Sequence, residues 1–148
     1  MKKVALISLL AVLLMSYKEP ASLQWHSLKE GLDLARAENK PILMFVYVSW
    51  CDKCQRMDKK VFTDKSVIPV ISENFIAVKL NPEKDTAYLH NDNLIDRKLM
   101  MVEISKGKYG IMVPRTVLYN EKNKESKILA GLLDPEELRD SILAFLKK

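Results

Sequence analysis

Hydrophobic residues along this chain fall either in continuous runs or in helical stripes, and the polar residues between them carry capping and turn signals. Ser27-Leu28-Lys29-Glu30 has the spacing of a capping box and predicts a helix from about Leu28 to Glu38, which Pro41 closes. Residues 42 to 48 (ILMFVYV) are apolar, β-branched or aromatic without interruption, which suits a central strand buried on both faces. After Trp50, the residues Cys54, Met57 and Val61 fall at i, i+3 and i+7 and mark the apolar stripe of a second helix. Ser66 is placed to cap a further helical segment through about Glu73, with Pro69 in its first turn. Residues 75 to 80 (FIAVKL) read as another strand. Residues 81 to 92 are polar and irregular. A helix is expected from Asp92 as N-cap, carrying Leu94, Ile95, Leu99, Met101 and Val102 inward until Gly107. Residues 115 to 119 (RTVLY) and 126 to 130 (SKILA) flank the polar turn Asn120 to Glu125 and predict a hairpin. Asp134-Pro135-Glu136-Glu137 then opens a C-terminal helix with Leu138, Ile142 and Leu146 on its inner face. The order is α-β-α-β-α-β-β-α, an α/β arrangement whose simplest packing puts helices on both sides of a mixed four-stranded sheet.

The N-terminus follows a different pattern. Lys2 and Lys3 precede twelve apolar residues, Val4 to Met15, as in a secretory leader, and a spanning helix would need about 20. Residues 1 to 16 are read as that leader and residues 23 to 148 as one domain. No A-x-A triplet marks the cleavage site; Leu14-x-Ser16 is the nearest candidate, and cleavage nearer residue 22 or retention as an uncleaved anchor are the alternatives. The expected location is the periplasm or cell envelope. Composition narrows the class further. Of 148 residues 48% are hydrophobic and 29% charged, with four glycines, six prolines and two cysteines, which excludes disorder, collagen and disulfide-scaffold proteins. The net charge of +5 falls to +3 without the leader, and its lysines are scattered without interleaved aromatics, so nucleic acid is not an expected partner.

The candidate chemistry lies in Cys51 and Cys54. The pair sits where a buried strand turns into a helix, so the Cys51 thiol faces unpaired amides at the helix N-terminus, which favours the thiolate. Cys51 is the expected nucleophile and Cys54 the thiol that resolves a mixed disulfide. Asp52 and Lys53 between them act in opposite directions on a Cys51 thiolate. A static structural disulfide would close a very short loop and stabilise little. Two other functions use the same residues: carriage of Cu(I) or another soft metal on the two thiolates, and a binding module in which the cysteines are incidental. His26 and His90 read as surface residues rather than ligands, and a closed zinc site would need two further ligands, so no metal is expected.

The stretch YVSWCDKC, with a strand before it and a helix after it, resembles the W-C-x-x-C active-site motif of the thioredoxin-like superfamily. The later KYGIMVPRTVLYN is similar to the segment that carries that family's cis-proline, with Pro114 in its place; FIAVKLN matches its central strand, and Gly131 with the terminal helix matches its end. The segment KEGLDLARAENKPILMFVYVSWCDKCQRMDKKVFTDKSV is most similar to the exported subgroup that includes the C-terminal domain of DsbD-type thiol:disulfide reductases. The resemblance implies a thioredoxin-like fold and a thiol:disulfide oxidoreductase, a reductase by preference, with no cofactor beyond the Cys51–Cys54 disulfide. It implies Trp50 as a flat platform beside the cysteines and a backbone at Val113 that Pro114 holds against an extended substrate. Its implied partners are protein thiols and disulfides and a membrane-embedded thiol electron donor, and the protein is expected to be a monomer. Two positions depart from the family pattern. Phe45 stands where thioredoxin has a buried aspartate, which leaves Lys79 without its expected partner, and Asp52-Lys53 replaces Gly-Pro. Residues 82 to 107 form an enlarged segment, read as a partner-recognition element.

Overall fold

The computed structural model describes residues 22–81, 84 and 113–147. The expected leader (residues 1 to 16), the helix from Asp92 to Gly107 and His90 lie outside the described residues. The elements are β1 (Trp25–His26), α1 (Leu28–Glu38), β2 (Ile42–Val46), α2 (Asp52–Arg56) running directly into a π-helical turn (Met57–Val61), α3 (Ile68–Asn74), β3 (Ile76–Leu80), β4 (Arg115–Asn120), β5 (Glu125–Ala130) and α4 (Pro135–Leu146). The sheet has five strands in the order β1-β3-β2-β4-β5 rather than the expected four. The extra strand is the two-residue β1, whose Trp25 and His26 pair in parallel with Ala77 and Val78, a segment too short to register as alternation in the sequence. Strands β2 and β3 are parallel, and β4 and β5 run antiparallel to their neighbours, so the sheet is mixed.

Every residue of β2 is buried, because alternate side chains feed two cores. On one face, Leu43 and Phe45 join Ala77 and Leu118 under α2, the π turn, α3 and α4. On the other, Ile42, Met44 and Val46 join Ile76, Val78 and Val117 under Leu28, Leu32 and Ala35 of α1. Helix α1 lies close enough to β3 that a Cβ on Gly31 would overlap Val78 Cγ2.

Local signals explain most element boundaries. Ser27 Oγ accepts from the Glu30 amide at 3.4 Å, and α1 begins and ends where the capping box and Pro41 place it. The second half of that box is used differently: the Glu30 carboxylate meets His26 Nδ1 at 3.1 Å instead of turning back to the Ser27 amide. His26 is thereby corrected from a surface residue to a strand residue with 12% of its side chain exposed. Ser66 does not cap α3; its amide and hydroxyl both donate to Asp64 Oδ1, and the helix starts after Val67 with Pro69 in its first turn. Asp134 Oδ1 accepts from the Glu137 amide at 2.8 Å and caps α4 as expected. The inner face of α4 is Leu138, Ile142 and Phe145 at i, i+4 and i+7, while Leu146 is 38% exposed and lies outside that face, because the larger Phe145 ring packs against Phe75.

Candidate active site

The site is built at the end of β2. Beyond Val46 the chain stays tied to the sheet by the Tyr47 amide, which donates to Leu80 O at 3.0 Å, and then turns at Val48–Cys51, where the Cys51 amide donates to Val48 O at 3.3 Å. Cys51 has extended backbone angles (φ −87°, ψ 104°) and is the N-cap of α2. Its Sγ accepts from the Cys54 amide at 3.1 Å, so the sulfur does the work that a serine or aspartate oxygen does at other helix starts. Cys51 and Cys54 are joined as a disulfide with their Cα atoms 5.2 Å apart. The Gln55 side chain donates to Ser49 O at 3.3 Å and braces the loop ahead of the pair.

The two sulfurs are unequally placed. Cys54 is 2% exposed and packs in the core that holds Phe45, Met57 and Phe62, whereas Cys51, at 8%, borders open space. That space is a groove of about 420 Å³ lined by Trp50, Cys51, Asp52 and Lys53 on one side and by Val113, Pro114, Arg115, Ala130 and Gly131 on the other. Trp50 is 70% exposed beside it. The Val113–Pro114 peptide bond is cis. Pro114 O accepts from the Gly131 amide at 2.9 Å, which fixes the Pro114 loop against the end of β5. Gly131 has φ +89°, a conformation that disfavours any side chain, and among the described residues no atom beyond its chain neighbours lies within 4 Å of where its Cβ would stand. All seven residues singled out from the sequence, Trp50, Cys51, Asp52, Lys53, Cys54, Val113 and Pro114, thus meet at one end of the sheet, with only Cys54 behind the groove wall. Arg115, Ala130 and Gly131 were not foreseen as lining. The pairing of Arg115 with Ala130 across β4 and β5 brings them there, and the one signal for it was a charged residue opening an otherwise apolar strand.

Lys79 is not left without a partner. Its Nζ lies 2.6 Å from Asp58 Oδ1 and 4.8 Å from the centre of the Trp25 ring. Asp58 belongs to the π turn that continues the helix of the cysteine pair. Phe45 fills the expected carboxylate position with an aromatic cluster: its ring centre is 4.8 Å from Phe62, 5.6 Å from Tyr47 and 6.2 Å from Trp25. Among the described residues, no group of three or more His, Cys, Asp or Glu side chains converges as a metal site, and no helix is long and apolar enough to cross a membrane.

Comparison with known proteins agrees with this geometry. A family model described as thioredoxin-like matches residues 24–120. Human spermatogenesis-associated protein 20 is 35% identical over 65 residues, covering 41% of this chain and 8% of that protein. The thiol:disulfide interchange protein DsbD of a Pseudomonas species is 31% identical over 102 residues, covering 69% of this chain and 14% of the relative. The chain therefore spans only a small part of the length of these curated relatives. Among solved structures, DsbH oxidoreductase superposes with a TM-score of 0.60 at 16% identity, covering 90% of this chain and 94% of that one. A family match over more than half of its length, on a sheet that carries a C-x-x-C pair joined as a disulfide, shows that the chain belongs to the thioredoxin-like family.

Proposed function

We propose that this protein is an exported thiol:disulfide oxidoreductase that reduces disulfides in other proteins through Cys51 and Cys54. The observation that carries the reading is the asymmetry of the pair: one sulfur at the edge of a groove and capped by a backbone amide, the other buried one turn behind it. In the reduced protein the Cys51 thiolate attacks one sulfur of a substrate disulfide, forming a mixed disulfide and releasing the other substrate sulfur as a thiolate. Cys54, deprotonated as it attacks, then displaces the second substrate sulfur from Cys51. The substrate disulfide gains two electrons and becomes a dithiol, and the Cys51–Cys54 dithiol becomes the disulfide. A substrate segment lies extended in the groove, with Trp50 as a platform, Asp52 and Lys53 at its rim, and the Val113 backbone pairing with it ahead of Pro114. A dithiol carrier embedded in the membrane returns the electrons by the same exchange. The basic residues and apolar run at Lys2 to Met15 support export, with residues 23–148 as a single working domain.

Trapping tests the assignment of roles. Cys54→Ser should accumulate mixed disulfides with substrate proteins through Cys51, visible as higher-mass bands on non-reducing gels, and Cys51→Ser should accumulate none. Equal trapping by the two variants would overturn it.

A further inference from the structure

The helix that begins at the disulfide carries an unbalanced charge. Lys53, Arg56, Lys59 and Lys60 are all exposed, and none of them makes an ion pair with the described residues. Other helices of the fold treat their cations differently: on α1, Lys29 meets Asp33 at 2.8 Å and Arg36 meets Glu121 at 2.9 Å, and on α4 Arg139 meets Asp140 at 3.2 Å. The carboxylate best placed in sequence to offset the four cations is Asp58, and it is committed to Lys79. With that pair neutral, Asp52 is the one other carboxylate within residues 52 to 61, and that segment together with Lys79 carries a net charge of +3 beside the groove. Lys53 stands on the groove wall, Arg56 follows it at i+3 on the same short α-helix, and Lys59 and Lys60 lie in the π turn that continues it.

We propose that this stripe is a docking surface for protein partners whose cysteines lie within acidic surface. The inference rests on the oxidoreductase reading of the same site. A sulfur can be attacked only after the partner's cysteine has entered the groove, and a one-sign stripe that starts at the groove concentrates and orients partners of the opposite sign before that contact. The exposed Trp50 indole then offers the apolar contact at the centre, with the charges at the rim. A lipid surface of the same sign would meet the cations but offers the groove no sulfur, which is why the observations favour a protein.

The test uses the full chain, reduced beforehand, and three disulfide-bridged peptides with one core sequence and acidic, uncharged or basic flanks. Oxidation of the Cys51–Cys54 dithiol, as each peptide disulfide becomes a dithiol, is followed by tryptophan fluorescence under stopped flow. At low salt the acidic peptide should react about tenfold faster than the basic one, and the ratio should fall toward one at about 0.5 M salt. The triple variant Arg56→Gln, Lys59→Gln, Lys60→Gln should cut the ratio to about threefold or less and leave the rate on the uncharged peptide within about twofold. Equal rates on the acidic and basic peptides at low salt, or a ratio unchanged in the triple variant, would overturn the docking surface while reaction of the uncharged peptide leaves the oxidoreductase standing. Equal peptide rates together with salt-sensitive binding to vesicles of anionic lipid would reassign the stripe to a membrane. Failure to reduce any of the three peptides would remove the oxidoreductase reading and the docking surface with it.

Discussion

Gly31 sits in the middle of α1, where an alanine would ordinarily add about 1 kcal/mol of helix propensity. Its position against β3 reverses that expectation. A Cβ there would overlap Val78 Cγ2, and Val78 is fully buried between α1 and the sheet, so the valine has nowhere to retreat. Gly31→Ala should therefore destabilise the protein by about 1–3 kcal/mol, read as a lower midpoint of guanidinium unfolding with an unchanged slope. Combining it with Val78→Ala should cost less than the sum of the two single changes, because the methyl that clashes is gone. A raised midpoint for Gly31→Ala would show that helix and strand are farther apart. At this scale the sequence was legible where one residue did one local job, as at Ser27, Asp134 and Cys51, and Pro114 was placed by the family resemblance. It was silent wherever a side chain chose between partners. Glu30 had the spacing to reach its own helix start and instead met His26, and Lys79 found Asp58, twenty-one positions away.

Elements are joined at the far end of the molecule by one two-pronged contact. Arg36, in the last turn of α1, donates from Nε to Glu121 Oε2 and from Nη2 to Oε1, both at 2.9 Å, and so ties the helix to the residue that follows β4. The hydrogen bonds from Arg36 hold the Glu121 carboxyl below its ordinary value of 4.5, against a smaller opposing effect of burial. A carboxyl whose value is lower in the folded than in the unfolded chain adds stability that is fully present above the unfolded value and is lost as pH falls through the folded one. Both side chains are about a third or more exposed, so water screens the pair and its worth is about 0.5 kcal/mol. Glu121→Gln should therefore lower the unfolding midpoint at neutral pH, and the gap from the parent protein should close as pH drops from about 6 to about 2. A gap that widens on acidification would contradict the pairing. Helix α4 gives a companion test: Asp134→Ala removes the acceptor of the Glu137 amide and should cost about 1 kcal/mol by thermal unfolding. Capped helices of eleven or twelve residues were legible from sequence to within a residue, because their signals are local. Strand β1 and the π turn were not, since a two-residue strand exists only by pairing with β3, and the π turn still buries the Met57 and Val61 that an α-helical stripe would bury.

Across the whole molecule, the alternation of two cores through β2 was legible as a continuous apolar run, whereas the number of strands and the groove were not, because both depend on which distant segments lie side by side. The same architecture links folding stability to the direction of electron flow. The Cys51–Cys54 disulfide is continuous with the larger core, so oxidising or reducing it changes the stability of the entire fold. Two effects oppose each other. In the reduced protein the Cys54 amide supports a Cys51 thiolate, which favours the dithiol form. In the oxidised protein the bridge restricts the unfolded chain by about 2 kcal/mol for so short a loop. A helix-terminus contribution of about 0.3–1 kcal/mol makes the first effect the smaller one, so the oxidised protein should unfold at higher denaturant than the reduced protein. By the thermodynamic cycle, each 1.4 kcal/mol of that difference makes the folded pair about 30 mV more reducing than the same two cysteines in the unfolded chain. A difference of this sign, with a potential near about −270 mV in graded thiol buffers, is what a reductase requires. A reduced form that is the more stable of the two, with a potential near about −120 mV, would reverse the assignment: the protein would then give its disulfide away, and partners would leave the groove oxidised instead of reduced.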